Sequence, residues 1–327
     1  MSFAPHALPA RYDVVIVGGG IAGLTAATVL GRARRRVAVV DAGRPRNAPA
    51  DHVHGFPSRD GIPPRELLRL CRSDLEQYDV DLVDAEVTGL SEDRTVELGD
   101  GRVLQGRHVV VASGLRDVLP DIAGAAERWG RDLLQCPYCH GWEVADLPLA
   151  VLGTGPDSVQ QACLVRTFSP EVTLIRREGL ELTDEDSRAL AAMGITVVEG
   201  TAVELQVQDD TLAAVVLADR RTVPCRAVFC EPGAEVDPVL SGVSGCSRDA
   251  DGCLETDEAG RTGAERIWAV GNVADPSSQV VAAAGDAYRL AVALNAELLE
   301  EDVAAAVRTA EAEGPLLSAG EPAAANR

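Results

Sequence analysis

The stretch YDVVIVGGGIAGLTAATVLGRARRRVAVVDAG, residues 12–43, decides the fold. Its first apolar run, VVIV, is too short for a helix and predicts a strand, whereas the alanine-rich segment that follows has helical periodicity. A second apolar run ends on Asp41, 23 positions after Gly18. Between the first strand and the helix, three glycines form the pattern GxGxxG: Gly18, Gly20 and Gly23.

This order of strand, glycine turn, helix and acid is typical of dinucleotide binding. The glycines let the backbone approach a pyrophosphate at the helix N-terminus, and Asp41 can accept hydrogen bonds from both ribose hydroxyls. The pattern recurs in LPLAVLGTGPDSVQQACLVRTFSPEVTLIRR, residues 147–177, where Gly153 and Gly155 are followed by Ser158 in place of the third glycine. The sequence therefore predicts an α/β fold with two doubly wound, Rossmann-like dinucleotide-binding domains.

A third glycine-containing stretch, RIWAVGNVAD at residues 266–275, predicts a strand followed by a long helix rich in small residues. No further sheet accompanies this strand and helix, so we expect them to return to the first domain and complete that domain. The last residues are rich in Ala and Glu and predict a flexible tail. The predicted organisation is a first domain in two segments, an inserted domain and a tail: residues 1–118 with 247–303, 119–246, and 304–327.

The segment QCPYCHGWEV, residues 135–144, holds the most reactive side chains of the sequence. Cys136 and Cys139 form a CxxC pair, which is typical of a redox dithiol, of half a zinc site, or, with His140, of covalent haem attachment. Zinc needs four ligands, and the other cysteines form no second CxxC. We therefore predict a redox pair without a metal, with His140 exchanging protons with thiols near neutral pH.

The composition limits the possible partners and reaction types. A net charge of −21 opposes binding to nucleic acid and to anionic membranes. Every basic residue is arginine, which excludes enzymes that use a Schiff-base or P-loop lysine. The sequence shows neither a secretory signal nor an apolar run long enough to span a bilayer, so we expect a cytoplasmic protein with mostly reduced cysteines.

Together these motifs resemble the low-molecular-weight thioredoxin reductase family of flavoproteins. The resemblance implies a homodimer that binds FAD in its first domain, with the CxxC pair on the inserted domain facing the flavin. VVASGL (residues 110–115) and GNVAD (residues 271–275) fall on two flavin-binding motifs of the family. The resemblance leaves open whether His52 or His54 lies near the flavin. The residues that it implies for FAD binding are Gly18, Gly20, Gly23, Asp41, Arg46, Asn47, His54, Ala112, Gly114, Gly271, Asn272, Gln279 and Val280.

Three departures from thioredoxin reductases are informative. His140 replaces the acid that follows their second cysteine, and Pro156 removes a backbone donor from the second glycine turn. The segment IRREGLE, residues 175–181, lacks the outer His and Arg of the NADPH phosphate site and ends on Glu181, although Arg176 and Arg177 remain. We therefore expect weakened NADPH binding.

Two segments, CPYCHGWE and RPRNAPADHVHGF (residues 44–56), resemble more closely the dithiol oxidases that close disulfides in gliotoxin- and holomycin-type natural products. The resemblance implies oxidation of a small-molecule dithiol with FAD and molecular oxygen, giving hydrogen peroxide. It implies attack of the substrate on Cys136, with Cys139 nearer the flavin. Two alternatives remain open: an NADPH-dependent thioredoxin-disulfide reductase and a non-enzymatic flavin redox sensor. Tyr138 and Trp142 either shape a substrate pocket or pack the cysteine helix.

Overall fold

The computed structural model describes residues 11–236, 243, 245–250 and 252–313. In chain order its strands are β1 (Tyr12–Val17), β2 (Val37–Asp41), β3 (Val80–Asp84), β4 (Val87–Leu90), β5 (Thr95–Leu98), β6 (Val103–Val111), β7 (Arg116–Val118), β8 (Leu133–Leu134), β9 (Leu149–Gly153), β10 (Val172–Arg176), β11 (Thr196–Glu199), β12 (Ala202–Gln208), β13 (Thr211–Leu217), β14 (Thr222–Pro224), β15 (Ala227–Phe229), β16 (Gly233–Glu235) and β17 (Ile267–Ala269). Its helices are α1 (Ile21–Arg32), α2 (Pro64–Asp74), α3 (Ala125–Arg128), α4 (Pro137–His140), α5 (Ser158–Val165), α6 (Asp184–Ala192) and α7 (Val280–Glu313).

The first sheet has the order β3-β2-β1-β6-β5-β4, with β17 paired to β6. Its central strands are parallel and buried on both faces, which explains why VVIV is apolar without alternation. β17 lies parallel to β6, with Ile267 opposite Val109, so the chain returns to this sheet late in the sequence. One face of the sheet is covered by α1 and α7, which bury Leu24, Leu290 and other side chains in a common core.

A second parallel sheet, of order β11-β10-β9-β15-β8, forms between the two visits to the first. Helices α5 and α6 connect its strands, as parallel pairing requires a crossover. The predicted α/β fold with two doubly wound units is confirmed. The antiparallel sheet β12-β13-β14 beside it is a feature that the glycine motifs gave no reason to expect.

Strands β7 and β16 form an antiparallel ribbon where the chain leaves the first sheet and where it comes back. Arg46 reinforces this crossing with three hydrogen bonds to different parts of the chain. Its guanidinium donates to the carboxylate of Asp117 at 2.9 Å, to the amide oxygen of Gln135 at 3.2 Å and to the carbonyl of Pro276 at 3.1 Å. The two sheets are therefore joined by side chains as well as by the backbone.

Helix α7 continues to Glu313, whereas the sequence predicted a flexible tail from residue 304. Ala and Glu are strong helix formers, and ion pairs from Arg35 and Arg107 to Asp302 hold the turn just before residue 304 against the first sheet. Residues 314–327 of the predicted tail lie outside the described residues. None of the helices in the described part of the chain has the length and apolarity needed to span a bilayer.

Candidate active site

The first glycine turn leaves no room for side chains where the backbone must pass closely. A Cβ on Gly18 would lie 2.3 Å from the carbonyl oxygen of Ala112, and φ at Gly18 is +107°. A Cβ on Gly23 would lie 2.0 Å from the carbonyl oxygen of Gly18, so Gly23 packs α1 against β1. A Cβ on Gly20 meets no atom of the described chain within 4 Å, so this glycine faces open space.

The N-terminus of α1 is available to an anion. Gly20 caps the helix without a side chain, and no side chain of the described residues bonds to the first N–H groups. Such groups, together with the helix dipole, bind phosphate. Beyond them lies Asp41, and Arg72 donates a hydrogen bond of 2.9 Å to one of its carboxylate oxygens. Arg72 therefore fixes the orientation of the acid that was predicted to bind ribose.

A cavity of about 900 Å³ opens in front of this turn. That volume lies at the upper end of the range for cofactor sites. Of the residues predicted from the sequence to bind FAD or to react with thiols, Gly23 and His54 do not line the cavity. His54 lies against Glu143 instead. The singled-out residues that line the cavity are Gly18, Gly20, Asp41, Arg46, Asn47, Ala112, Gly114, Cys136, Cys139, His140, Gly271, Asn272, Gln279 and Val280.

Two serines that sequence reasoning missed also line this cavity, Ser113 and Ser278. Their hydroxyl oxygens are buried and have no hydrogen-bond partner among the described residues. Buried polar groups are normally paired, so these hydroxyls point to a polar ligand in the cavity. The Nδ2 of Asn272 donates to the carbonyls of Asp275 and Ser278, both at 3.0 Å, so its Oδ1 is the atom it can offer to a ligand. The cavity therefore fits a large polar cofactor.

The cysteine pair lies on α4, a single helical turn at the wall of the cavity. Pro137 occupies the first helical position, where a missing N–H costs nothing, and Cys136 is the N-cap. Both sulfur atoms contact Gln279: Sγ of Cys139 lies 3.2 Å from its Oε1, and its Nε2 donates to the sulfur of Cys136 at 3.5 Å. The start of α7 thus meets the dithiol directly.

The two thiols differ strongly in acidity. The hydrogen bond from the Cys139 thiol is the main cause that lowers the pKa of Cys136 to about 7. The same interaction, followed by burial, raises the pKa of Cys139 well above its ordinary value. Because the thiolate is the nucleophile in thiol–disulfide exchange, Cys136 is the thiol that reacts near neutral pH.

Replacing Cys139 with alanine is expected to raise the pKa of Cys136 above 7, because the donor that stabilises its thiolate is lost while its burial remains. Cys139→Ser is the matched control, since its hydroxyl can still donate. The measurement is the rate of Cys136 alkylation by iodoacetamide against pH, read by mass. Equal alkylation profiles in the two variants would show that the hydrogen bond does not set the acidity of Cys136.

His140 follows the pair and lines the same cavity. Both of its ring nitrogens are buried and without a hydrogen-bond partner among the described residues. Burial lowers the pKa of His140, and the nearby Glu143 opposes this effect. The imidazole is therefore neutral at pH 7 and able to accept a proton.

Tyr138 and Trp142 are exposed by 76% and 82%, so they do not pack the cysteine helix against the core. Neither lines the cavity in the described part of the chain. Among the described residues, these aromatics therefore take neither of the two roles considered for them, packing the cysteine helix or lining the cavity. They lie on the outer face of the segment that carries the thiols.

In the second glycine turn, two backbone N–H groups are hydrogen-bonded to a side chain of the turn itself. The hydroxyl of Ser158 accepts hydrogen bonds of 3.1 Å from the backbone N–H groups of Thr154 and Gly155. Arg176 is ion-paired with Glu199 and also donates to the carbonyl of Leu180. Ile175, which replaces the outer His of the phosphate site, is buried in the core of this sheet.

Across the described residues, there is no group of three or more His, Cys, Asp or Glu side chains that could hold a metal ion. None of the eight cysteines is joined in a disulfide in the structure.

Two doubly wound domains with a dithiol at the wall of a cofactor-sized cavity define a thioredoxin reductase-like thiol/disulfide oxidoreductase. A family model described as pyridine nucleotide-disulphide oxidoreductase matches residues 12–287, and the chain belongs to this family.

Individual relatives agree with this assignment. The crystal structure of HlmI is 49% identical with a TM-score of 0.87, over 93% of this chain and 98% of that one. A thioredoxin reductase of Streptomyces coelicolor is 28% identical over 91% of this chain and 98% of its own length. Thioredoxin reductase sirT of Leptosphaeria maculans is 37% identical over 41% of this chain and 43% of its own length. With this and other fungal relatives, the chain spans less than half of the relative's length.

Proposed function

We propose that this protein is an FAD-dependent dithiol oxidase. It forms an intramolecular disulfide in a small-molecule dithiol of the holomycin type, with molecular oxygen as the electron acceptor and hydrogen peroxide as the product. The observation that carries this proposal is the contrast between the two glycine turns. No side chain caps the start of α1 or of α5 among the described residues, but in the second turn the N–H groups of Thr154 and Gly155 are bonded to the hydroxyl of Ser158, and no side chain does this in the turn at Gly18.

The cavity supports FAD as the cofactor. Gly18 and Gly20 allow a pyrophosphate to reach the start of α1, and Asp41 suits the ribose hydroxyls. The unpaired hydroxyls of Ser113 and Ser278 supply further polar contacts. When bound, FAD would accept the two electrons of the reduced cysteine pair and transfer them to oxygen.

The dithiol and His140 account for the chemistry on the substrate. Starting from the disulfide between Cys136 and Cys139, His140 takes the proton of one substrate thiol, and the resulting thiolate attacks the sulfur of Cys136. The enzyme disulfide breaks and Cys139 leaves as a thiolate. The second substrate thiol gives its proton to the Cys139 thiolate and attacks the substrate sulfur of the mixed disulfide, which releases the cyclic product and Cys136 as a thiolate. The substrate loses two protons and two electrons, and the electrons reside on the cysteine pair.

The electron donor separates this function from its alternatives. Under anaerobic conditions, dithiothreitol is expected to bleach the flavin of the holoenzyme readily, and NADPH at the same micromolar concentration slowly or not at all. Three features weaken NADPH binding. Ser158 accepts hydrogen bonds from the N–H groups of the second turn, Arg176 is paired with Glu199, and the exposed negative charge of Glu181 would repel the phosphate of NADPH. Stopped-flow absorbance of the flavin band measures both rates.

Rapid bleaching by NADPH, with reduction of a protein disulfide, would establish the alternative function of thioredoxin-disulfide reductase. Flavin that is reduced by dithiols without catalytic oxygen uptake would indicate the redox sensor. We also propose a homodimer. Exposed apolar side chains on α7, including Val281, Tyr288, Val292 and Leu299, supply a surface for a second copy.

A further inference from the structure

His54 lies on a closed loop that approaches the cysteine segment from the first domain. The loop comprises residues 53–62, and we call it the His54 loop. Val53 donates to the carbonyl of Ile62 at 2.8 Å, and Gly61 donates to the carbonyl of Val53 at 2.9 Å. These backbone bonds close the loop at its base. The position of the imidazole is therefore fixed by the backbone on both sides.

Both nitrogens of His54 face a carboxylate. Its Nε2 lies 3.2 Å from Oε1 of Glu143, and its Nδ1 lies 3.4 Å from Oδ2 of Asp60. Asp60 is itself fixed, because the N–H of Gly55 donates to its other oxygen at 2.8 Å. His54 thus links Asp60 of its own loop to Glu143, which lies three residues after His140.

The charged groups around His140 come from its own segment, from the His54 loop and from the residues just before that loop. Glu143 and Asp51 favour its protonated form, and His54 and burial oppose it. The ring of His52 lies 6.1 Å from that of His54. Glu143 is partly exposed and would be free to turn towards water without His54, because the two segments meet there through this ion pair. The buried imidazole of His140 has no hydrogen-bond partner of its own among the described residues.

We propose that His54 is a positioning residue for His140. It holds the Glu143 carboxylate beside the imidazole, so that His140 can keep the proton that it takes from the substrate thiol. The S–H bond breaks, an N–H bond forms on His140, and the proton later leaves to water past Glu143 and Asp60. The electrons stay on sulfur. This role rests on the proposed dithiol oxidase function, whereas the placement of Glu143 by His54 does not.

Two substitutions separate positioning from a merely structural role. In His54→Gln the side-chain amide can still donate to Glu143, whereas in His54→Ala nothing holds that carboxylate. Both variants lack the imidazole, so the comparison isolates the contact with Glu143. The chain has five histidines, so NMR of the imidazole carbons in the full-length holoenzyme can follow His140, assigned with His140→Gln. The pKa of His140 is expected to be about one unit lower in His54→Ala than in His54→Gln.

The same variants are then tested in a single turnover of the oxidised enzyme with dithiothreitol, stopped with acid and read as oxidised product. His54→Ala should react several-fold more slowly than His54→Gln at pH 7.5, where the imidazole of His140 is neutral in both variants and the weaker base removes the proton more slowly. Arg59→Ala, an exposed position of the same loop, is the control with the parent rate. Identical titration of His140 in the Ala and Gln variants would overturn the proposal. If the titrations differ as expected but the parent oxidises no dithiol, the positioning role stands and the proposed function fails.

Discussion

Cys136→Ser is expected to abolish dithiol oxidation completely. The substitution removes the thiol that is acidic near pH 7 and leaves Cys139, whose pKa is still raised by burial after its interaction with Cys136 is lost. Without Cys136 no enzyme disulfide can form, so no substrate thiolate has a sulfur to attack. Oxygen uptake with dithiothreitol should fall to the level of free FAD, while the far-UV spectrum and bound flavin stay unchanged.

Cys139→Ser is the matched variant, and it should be equally inactive but chemically different. Its Cys136 should react with 5,5′-dithiobis(2-nitrobenzoate) at pH 7 to give a mixed disulfide. This adduct should persist, because no second thiol of the pair can displace it. The remaining Cys139 of Cys136→Ser should react far more slowly. If the reagent modifies Cys136 of Cys139→Ser and Cys139 of Cys136→Ser at the same rate, the assignment of Cys136 as the exchanging thiol is wrong.

His140→Ala is expected to slow turnover about 10²-fold or more at pH 7, the usual contribution of a general base. The pKa of His140 is lowered by burial, so the parent imidazole is already neutral at pH 7 and should lose activity only well below its ordinary pKa. The deficit of the variant should shrink as the pH rises towards the substrate thiol pKa of about 8.5, where deprotonation needs no base. Steady-state oxygen uptake from pH 5 to 9 measures both effects.

His140→Gln is the control for packing, since it preserves much of the side-chain volume and offers no base. It should be as slow as His140→Ala. A Gln variant that works at the parent rate would show that His140 only fills space beside α4. A deficit that is the same at every pH would also contradict the role of general base.

The first glycine motif predicted its local structure well because every part of it is local. Gly18 needs a positive φ and no Cβ, and the strand and helix on either side follow from apolar runs of suitable length. The return of β17 to β6 also agrees with the sequence, because an isolated strand and helix have no other sheet to join. Local patterns thus predicted the strand, the glycine turn and the helix in front of which the cavity lies.

What the sequence did not predict depends on contacts between distant segments. The pairing of Arg176 with Glu199 joins two strands and engages an arginine that the sequence alone left available. His54 was placed among the FAD-binding residues by resemblance, yet the closed loop directs it to Glu143. Ser113 lies within VVASGL, but its role could not be seen from that motif, because it depends on a buried hydroxyl without a partner among the described residues.

The pairing of β17 with β6 has a consequence for how the chain folds during synthesis. All strands of the second parallel sheet, β8 to β15, leave the ribosome before β17, which follows β6 by roughly 10–30 s of translation. The second sheet can therefore form on the nascent chain, whereas the face of α1 that packs on α7 stays uncovered until α7 has been synthesised. The first sheet is begun before the second and completed after it, so its apolar surface stays exposed for longer during synthesis.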